Sequence, residues 1–433
     1  MLEFKSLIKS FLRSVKELRV AKLVGAFGLA QLIQLVTSLL RLPAIAQSSS
    51  VEVLGVTFLW LGLLSWSSVL NAGTVNLARL AQLRGHGFAK SSRIKRVLFR
   101  VTLILALVIS PIPVLMPHLP LILSGVGPTF FGFLGSTGLA RYMGILQGKG
   151  KVANIYAVNA VSSTISLIGT LLVTSSSVWQ TLSEPIQVMI LATLSVLSFV
   201  LPYFYAWLLT RNEFVFTRPA QARSESKKQY IYELAAVLPP AFVSGFDGLA
   251  LAWSRAPNEL AEYGLVSRLS LLATLVVSAL YVQLNNVAGN RSETSPRDLL
   301  KDSARLVALT LPFSAAFLCL AAPMVQFLSA NKIEVQTNTV MSVFALSLII
   351  PAWIGISATL ISNDRQRLIL GQRIFTLVLP FSMVSTFALT YFLGAPGPFI
   401  ASSLTYVCAS LYAIKVYKLQ DGSISVTRRN LRS

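Results

Sequence analysis

Twelve apolar runs dominate the chain, at about 23–46, 53–77, 97–117, 119–146, 152–174, 185–209, 230–253, 262–287, 306–328, 340–361, 368–393 and 398–416. Each is close to or above the ~20 residues an α-helix needs to cross a bilayer. A lipid-embedded backbone must satisfy its own hydrogen bonds, so such runs have one common solution, the helix. The rest of the composition agrees. Of 433 residues, 54% are hydrophobic and 12% charged, against about 25% charged in a soluble domain. Mean hydropathy is +0.68. The expectation is an all-α integral membrane protein of about twelve transmembrane helices.

The positive charge orders these helices. The N-terminus, the loops after even-numbered helices and the C-terminal tail hold 33 of the 37 Lys and Arg. The loops after odd-numbered helices hold only Arg255 and Lys332. Basic residues stay on the cytoplasmic side, so both termini are expected there. The net charge of +21 therefore reads as topology. No soluble segment is long enough to gather it on a folded nucleic-acid-binding face.

Residues 1–22 carry Phe4, Leu7, Ile8, Phe11, Leu12, Val15 and Leu18 at helical spacing, with Lys5, Lys9, Arg13 and Lys16 between them. That pattern suits a basic amphipathic helix on an anionic leaflet and is too interrupted for a signal-peptide core. A basic loop at 211–229 divides the spans into six and six. The expected units are residues 23–210, the linker 211–229, residues 230–416, and a cytoplasmic tail at 417–433. Faint echoes between the halves, such as the turns ending at Gly55 and Gly264, predict parallel six-helix repeats around a central cavity, with the substrate site between them.

Three charges, Arg41, Asp247 and Arg268, lie inside the outer halves of apolar runs. Arg41 is five residues from the outer end of its run at Ala46. Asp247 is six before Trp253, and Arg268 six after Glu262. At about 1.5 Å per residue Asp247 and Arg268 sit roughly 9 Å below one surface, with Arg41 at about the same depth. Charges at membrane depth are costly and mark transport paths. Gln31, Gln34, Ser38 and Arg41 form one polar stripe on the first helix. The resulting expectation is a cationic patch for an anionic group, with Asp247 holding Arg268 or Arg41 in place; the alternative is a buried ion pair fixing helix register. Asn71, Asn76, Gln283 and Asn285 are weaker candidates to line a wet path or to bond between helices. Pro239 and Pro240 open the ladder of their helix and form a candidate hinge. Cys319 and Cys408 lie in apolar runs and make no metal or disulfide spacing. GILQGKGK at Gly144–Lys151 is not a phosphate loop.

The stretches AQSSSVEVLGVTFLWLGLLSWSSVLNAGTVNLARLAQ (46–82), ARYMGILQGKGKVANIYAVNAVSSTI (140–165) and FDGLALAWSRAPNELAEYGLVSRL (246–269) resemble bacterial O-antigen and capsular polysaccharide repeat-unit flippases. These belong to the multidrug/oligosaccharidyl-lipid/polysaccharide (MOP) exporter superfamily. The chain departs from their pattern at Ser48–Ser50, where a Gly-Pro turn is common. The resemblance implies two six-helix lobes around a V-shaped cavity in the bacterial cytoplasmic (inner) membrane. It also implies alternating-access flipping of an undecaprenyl-pyrophosphate-linked oligosaccharide for surface polysaccharide biosynthesis, beside membrane lipids and polysaccharide assembly proteins. Arg41, Asp247 and Arg268 are then the residues to meet pyrophosphate or acidic sugars. No cofactor is expected beyond a coupling ion, H+ or Na+. An ion-coupled multidrug/cation antiporter of the same superfamily is the alternative, disfavoured by two arginines against one acid. A membrane polysaccharide polymerase or glycosyltransferase is a second alternative. It would need a sizeable external loop, and the longest external break here is 329–339, so the chain is not expected to be an enzyme.

Overall fold

A computed structural model describes residues 20–83, 123–211, 246–253, 258–270, 296–360 and 365–430. The described residues form helices α1 (Val20–Ser48), α2 (Val51–Leu83), α3 (Leu123–Gly148), α4 (Val152–Thr174) and α5 (Glu184–Thr210). Helical residues 246–253 (α6) and 258–270 (α7) follow. The last four are α8 (Pro296–Leu328), α9 (Thr337–Leu360), α10 (Arg365–Leu393) and α11 (Pro396–Asn430). No strand occurs among them. Six helices contain windows long and apolar enough to cross a membrane: Asn154–Thr174, Glu184–Thr210, Ser303–Leu328, Thr337–Ile356, Thr376–Leu393 and Pro396–Lys415. The chain is an all-α, multi-pass membrane protein. The expected span at 97–117, the linker 211–229, Pro239, Pro240, Gln283, Asn285 and most of the N-terminal amphipathic segment lie outside the described residues. Helix α11 continues to Asn430, so much of the expected tail 417–433 is helical. The polar stretch KLQDGSISVTRRN adds no apolar signal, and the helix runs on past the end of its hydrophobic window.

The burial pattern is turned outward, as lipid demands. On α1, Leu29, Leu32, Val36 and Leu40 are exposed while Thr37 and Arg41 are buried. Spacings of three and four put each set on one face. Prolines at 43, 128, 202, 312, 323, 351 and 380 sit inside helices. Membrane helices tolerate these because neighbours and Ser/Thr side chains satisfy the freed backbone groups.

Helices α1 to α5 pack on one another, as do α8 to α11. Within each group hydroxyls and small residues tie the helices together. Ser347 Oγ donates to Ser314 Oγ at 2.8 Å, and Ser303 Oγ to the Ala352 carbonyl at 2.9 Å. Such bonds replace the hydrophobic driving force that lipid removes. At Gly144 on α3, an added Cβ would lie 2.2 Å from the Val75 carbonyl oxygen and 2.5 Å from Ala78 Cβ. The two backbones touch there, so Gly144→Ala must push α2 and α3 apart. A loss of about 1–3 kcal/mol is expected from this overpacking, read as a lower thermal-unfolding midpoint in detergent.

The largest core draws on both groups. It joins Leu42, Ile45, Leu54, Leu59, Trp60 and Trp179 with Leu251, Leu260, Leu265, Phe317, Val325, Ile333, Val340 and Phe399. These residues cluster where α1 hands over to α2, α4 to α5, α6 to α7 and α8 to α9. Away from that end each group keeps a core of its own. Tyr142, Met143, Leu146, Ile155 and Ala206 form one; Trp353, Ile356, Ile374, Val378, Ala409 and Ala413 form the other. Among the described residues, the two groups of helices share a core at this end.

Candidate functional site

The shared end is sealed by polar contacts as well as packing. Lys332 Nζ, between α8 and α9, donates to the Ser49 carbonyl between α1 and α2 at 2.8 Å. Trp179 Nε1 donates to Ser49 Oγ at 3.2 Å. The Gln336 N–H donates to Glu262 Oε1 at 2.9 Å. Gly264 of α7 lies against the Phe58 ring of α2, its missing Cβ 2.2 Å from a ring carbon. Only glycine permits that approach.

Beneath this seal lies Arg41, 9% exposed. Its Nε donates to Thr170 Oγ1 at 3.1 Å and an Nη to Ser195 Oγ at 3.3 Å. Both hydroxyls also donate to carbonyls one turn back, those of Ser166 and Leu191. Their lone pairs are therefore turned toward the guanidinium, and α4 and α5 cradle a charge carried by α1. Thr170→Val removes one acceptor. A hydrogen bond to a charged group contributes about 1.5–3 kcal/mol, so the valine variant is expected to melt lower by that measure and Thr170→Ser to stay near wild type.

Arg268 comes from the other half. It is half-buried on α7, and its Nη1 reaches Ser38 Oγ of α1 at 3.5 Å. Ser38 lies three residues before Arg41 on α1, so Arg268 meets the same helical face that carries Arg41. The two guanidiniums thus approach one place from opposite halves, each meeting hydroxyls. Like charges there repel unless an anion joins them.

Asp247 stands elsewhere, and here the sequence expectation is corrected. The carboxylate is 6% exposed. Its Oδ2 accepts from the Tyr263 hydroxyl at 3.0 Å and from Ser402 Oγ at 3.5 Å. Its Oδ1 has no hydrogen-bond partner among the described residues. Tyr263 in turn stacks on Phe399, ring centroids 4.8 Å apart. Asp247 is held by α7 and α11 and does not hold either arginine. Counting residues along a run says nothing about which way around the helix a side chain points.

The weaker candidates divide. Gln34 is half-buried on the stripe that carries Ser38 and Arg41, while the side chains of Gln31 and Asn76 lie outside the described set. Asn71 is buried on α2 beside the Tyr203 hydroxyl of α5. It packs toward the separate core of the first half and away from the arginines. Arg141 lies over the Tyr142 ring at 4.5 Å. Among the described residues no group of His, Cys, Asp and Glu could hold a metal. Sequence reasoning missed Thr170, Ser195, Tyr263 and Ser402. Hydroxyls are common in membrane helices and usually bond their own backbone, so nothing in the linear pattern marks them.

No family model matches the chain, and no curated protein does. Solved structures do. An inward-facing multidrug resistance MATE family transporter of the MOP superfamily aligns with TM-score 0.64 at 16% identity, covering 91% of this chain and 96% of that one. The lipid II flippase MurJ in an inward closed conformation aligns with TM-score 0.61 at 14% identity, over 90% of this chain and 87% of that one. A MOP superfamily transporter from Pyrococcus furiosus, described as having a binding pocket of reversed polarity, aligns with TM-score 0.58 at 14% identity, over 94% and 96%. These neighbours are transporters and flippases rather than enzymes. The chain has the fold of the MOP superfamily transporters.

Proposed function

We propose that this protein flips an undecaprenyl-pyrophosphate-linked oligosaccharide across the bacterial cytoplasmic membrane by alternating access, for surface polysaccharide biosynthesis. The observation that carries the reading is the pair of guanidiniums, Arg41 and Arg268, brought together from opposite halves and answered by hydroxyls of Thr170, Ser195 and Ser38. Two arginine forks suit a pyrophosphate, which presents several oxygens and more than one negative charge. Because one fork belongs to each half, a bound pyrophosphate draws the halves together beneath the seal and offsets the repulsion there. In this reading the sealed end faces the periplasm, in keeping with the positive-inside bias, and the substrate enters from the cytoplasm. A structural neighbour is a lipid II flippase, in keeping with a lipid-linked substrate. Residues 23–210 and 230–416 are the rocking units, 211–229 their linker, with Pro239 and Pro240 as the hinge. Polysaccharide assembly proteins are the expected partners.

Asp247 favours a second reading, an ion-coupled cation antiporter. A buried carboxylate with an oxygen unpartnered among the described residues suits H+ or Na+ better than it suits an anion, and MATE transporters are among the neighbours. In the flippase reading the same residue carries the coupling ion. The test is complementation of a flippase-deficient strain. Restored surface glycan supports flipping; no glycan together with raised resistance to cationic dyes supports the antiporter.

A further inference from the structure

Only Ser49 and Ser50 separate α1 from α2. The Ser50 hydroxyl accepts the Val53 N–H at 3.3 Å and so caps α2. That leaves the Ser49 carbonyl, at the negative end of the α1 dipole, open to a donor from elsewhere. The donor comes from the opposite half: Lys332 Nζ, at 2.8 Å. Ser49 is thus held from both sides, since its hydroxyl accepts from Trp179 Nε1 of its own half. The turn carrying Lys332 is built to aim it. After α8 the chain reverses through Ala330 and Asn331, both left-handed at φ 53° and 61°. Asparagine tolerates that region; alanine is uncommon there. The Asn331 N–H donates to the Gln326 carbonyl at 2.8 Å and the Ile333 N–H to Ser329 Oγ at 3.3 Å, which pins the reversal on each side of Lys332. Backbone held in a disfavoured region by its surroundings clusters at clamps and switches.

We propose that Lys332 is the latch of the sealed end: its bond to Ser49 biases the halves toward the closed arrangement, and its release is a step in opening there. The inference rests on the alternating-access part of the proposed function and is independent of the substrate. The apolar packing at the seal, Phe58 against Gly264 among it, is close-fitting. A lysine–carbonyl bond differs, because on parting it is exchanged for water at small net cost. Such a contact can favour one state without locking it. Lys332 is also one of only two basic residues in the loops after odd-numbered helices. It stands against the bias that keeps such residues on the other side, and it bonds across the halves.

The experiment reads opening without substrate, in nanodiscs of phosphatidylethanolamine and phosphatidylglycerol and a background with Cys319 and Cys408 replaced by serine. A reporter, Val53→Cys, is reacted with a sulfonated, membrane-impermeant maleimide. Val53 is fully buried in the shared core, and cysteine is close to it in size. Lys332→Met is expected to raise the labelling rate about fivefold, the weight of one net hydrogen bond. Lys332→Arg keeps a cationic donor and should stay near the reference rate. The Lys332 side chain is exposed, so its replacement leaves the core intact. A second reporter, Val196→Cys, packs on Gly132 within the first half and should label no faster. An unchanged Val53→Cys rate in Lys332→Met overturns the latch. So does a rise at both reporters, which marks a loosened fold. Either failure leaves the flippase reading standing, because no lipid-linked substrate enters the measurement.

Discussion

Replacing Arg41 or Arg268 by alanine is expected to cut surface-glycan export about tenfold or more at matched membrane levels. Each guanidinium offers hydrogen bonds to a charged group, worth about 1.5–3 kcal/mol, and 1.4 kcal/mol is about a factor of ten in rate. Lysine at either place keeps the charge and loses the planar fork, so partial activity is expected. Stability separates this role from a structural one. Arg41 is buried close to a like charge, and replacing a buried charge with an apolar side chain of similar size is often neutral or stabilising. Arg41→Met should therefore keep or raise the thermal midpoint while export falls. A structural arginine would lower both together.

The second large effect concerns the seal. Alternating access requires the halves to part where Phe58 meets Gly264. The Phe58 Cβ lies 2.7 Å from where a Cβ on Gly264 would stand. Disulfides want Cβ atoms about 3.5–4.5 Å apart, a separation reached by an outward shift of about 1 Å once the Phe ring is gone. In a background with Cys319 and Cys408 replaced by serine, Phe58→Cys with Gly264→Cys is expected to form a disulfide under mild oxidation. Export should fall to background and return on reduction. Export that persists in the fully oxidised protein would mean the halves do not part at this end.

Much of this was legible in the sequence, and the limits have physical causes. Period and length found the helices, since lipid leaves a long apolar run no other form. Arg41 could be placed on a stripe with Gln34 and Ser38 because α1 is regular, and the structure buries that face. Its partners Thr170 and Ser195 lie 129 and 154 residues away, on helices whose facing is set by tertiary packing alone. Asp247 shows the same limit from the other side. Its place along α6 was readable, yet rotation about the helix axis aims it at Tyr263 and Ser402, while the arginines meet Thr170, Ser195 and Ser38. Gly264 was visible as the end of a turn; that it admits Phe58 was not.

The most direct test is reconstitution of the purified protein in liposomes with a fluorescent polyprenyl-pyrophosphate oligosaccharide in one leaflet. Movement of the label to the other leaflet by wild type, lost in Arg41→Ala and Arg268→Ala, is the predicted result. Equal movement in both variants, or no movement alongside ion-driven uptake of a cationic dye, would contradict the account.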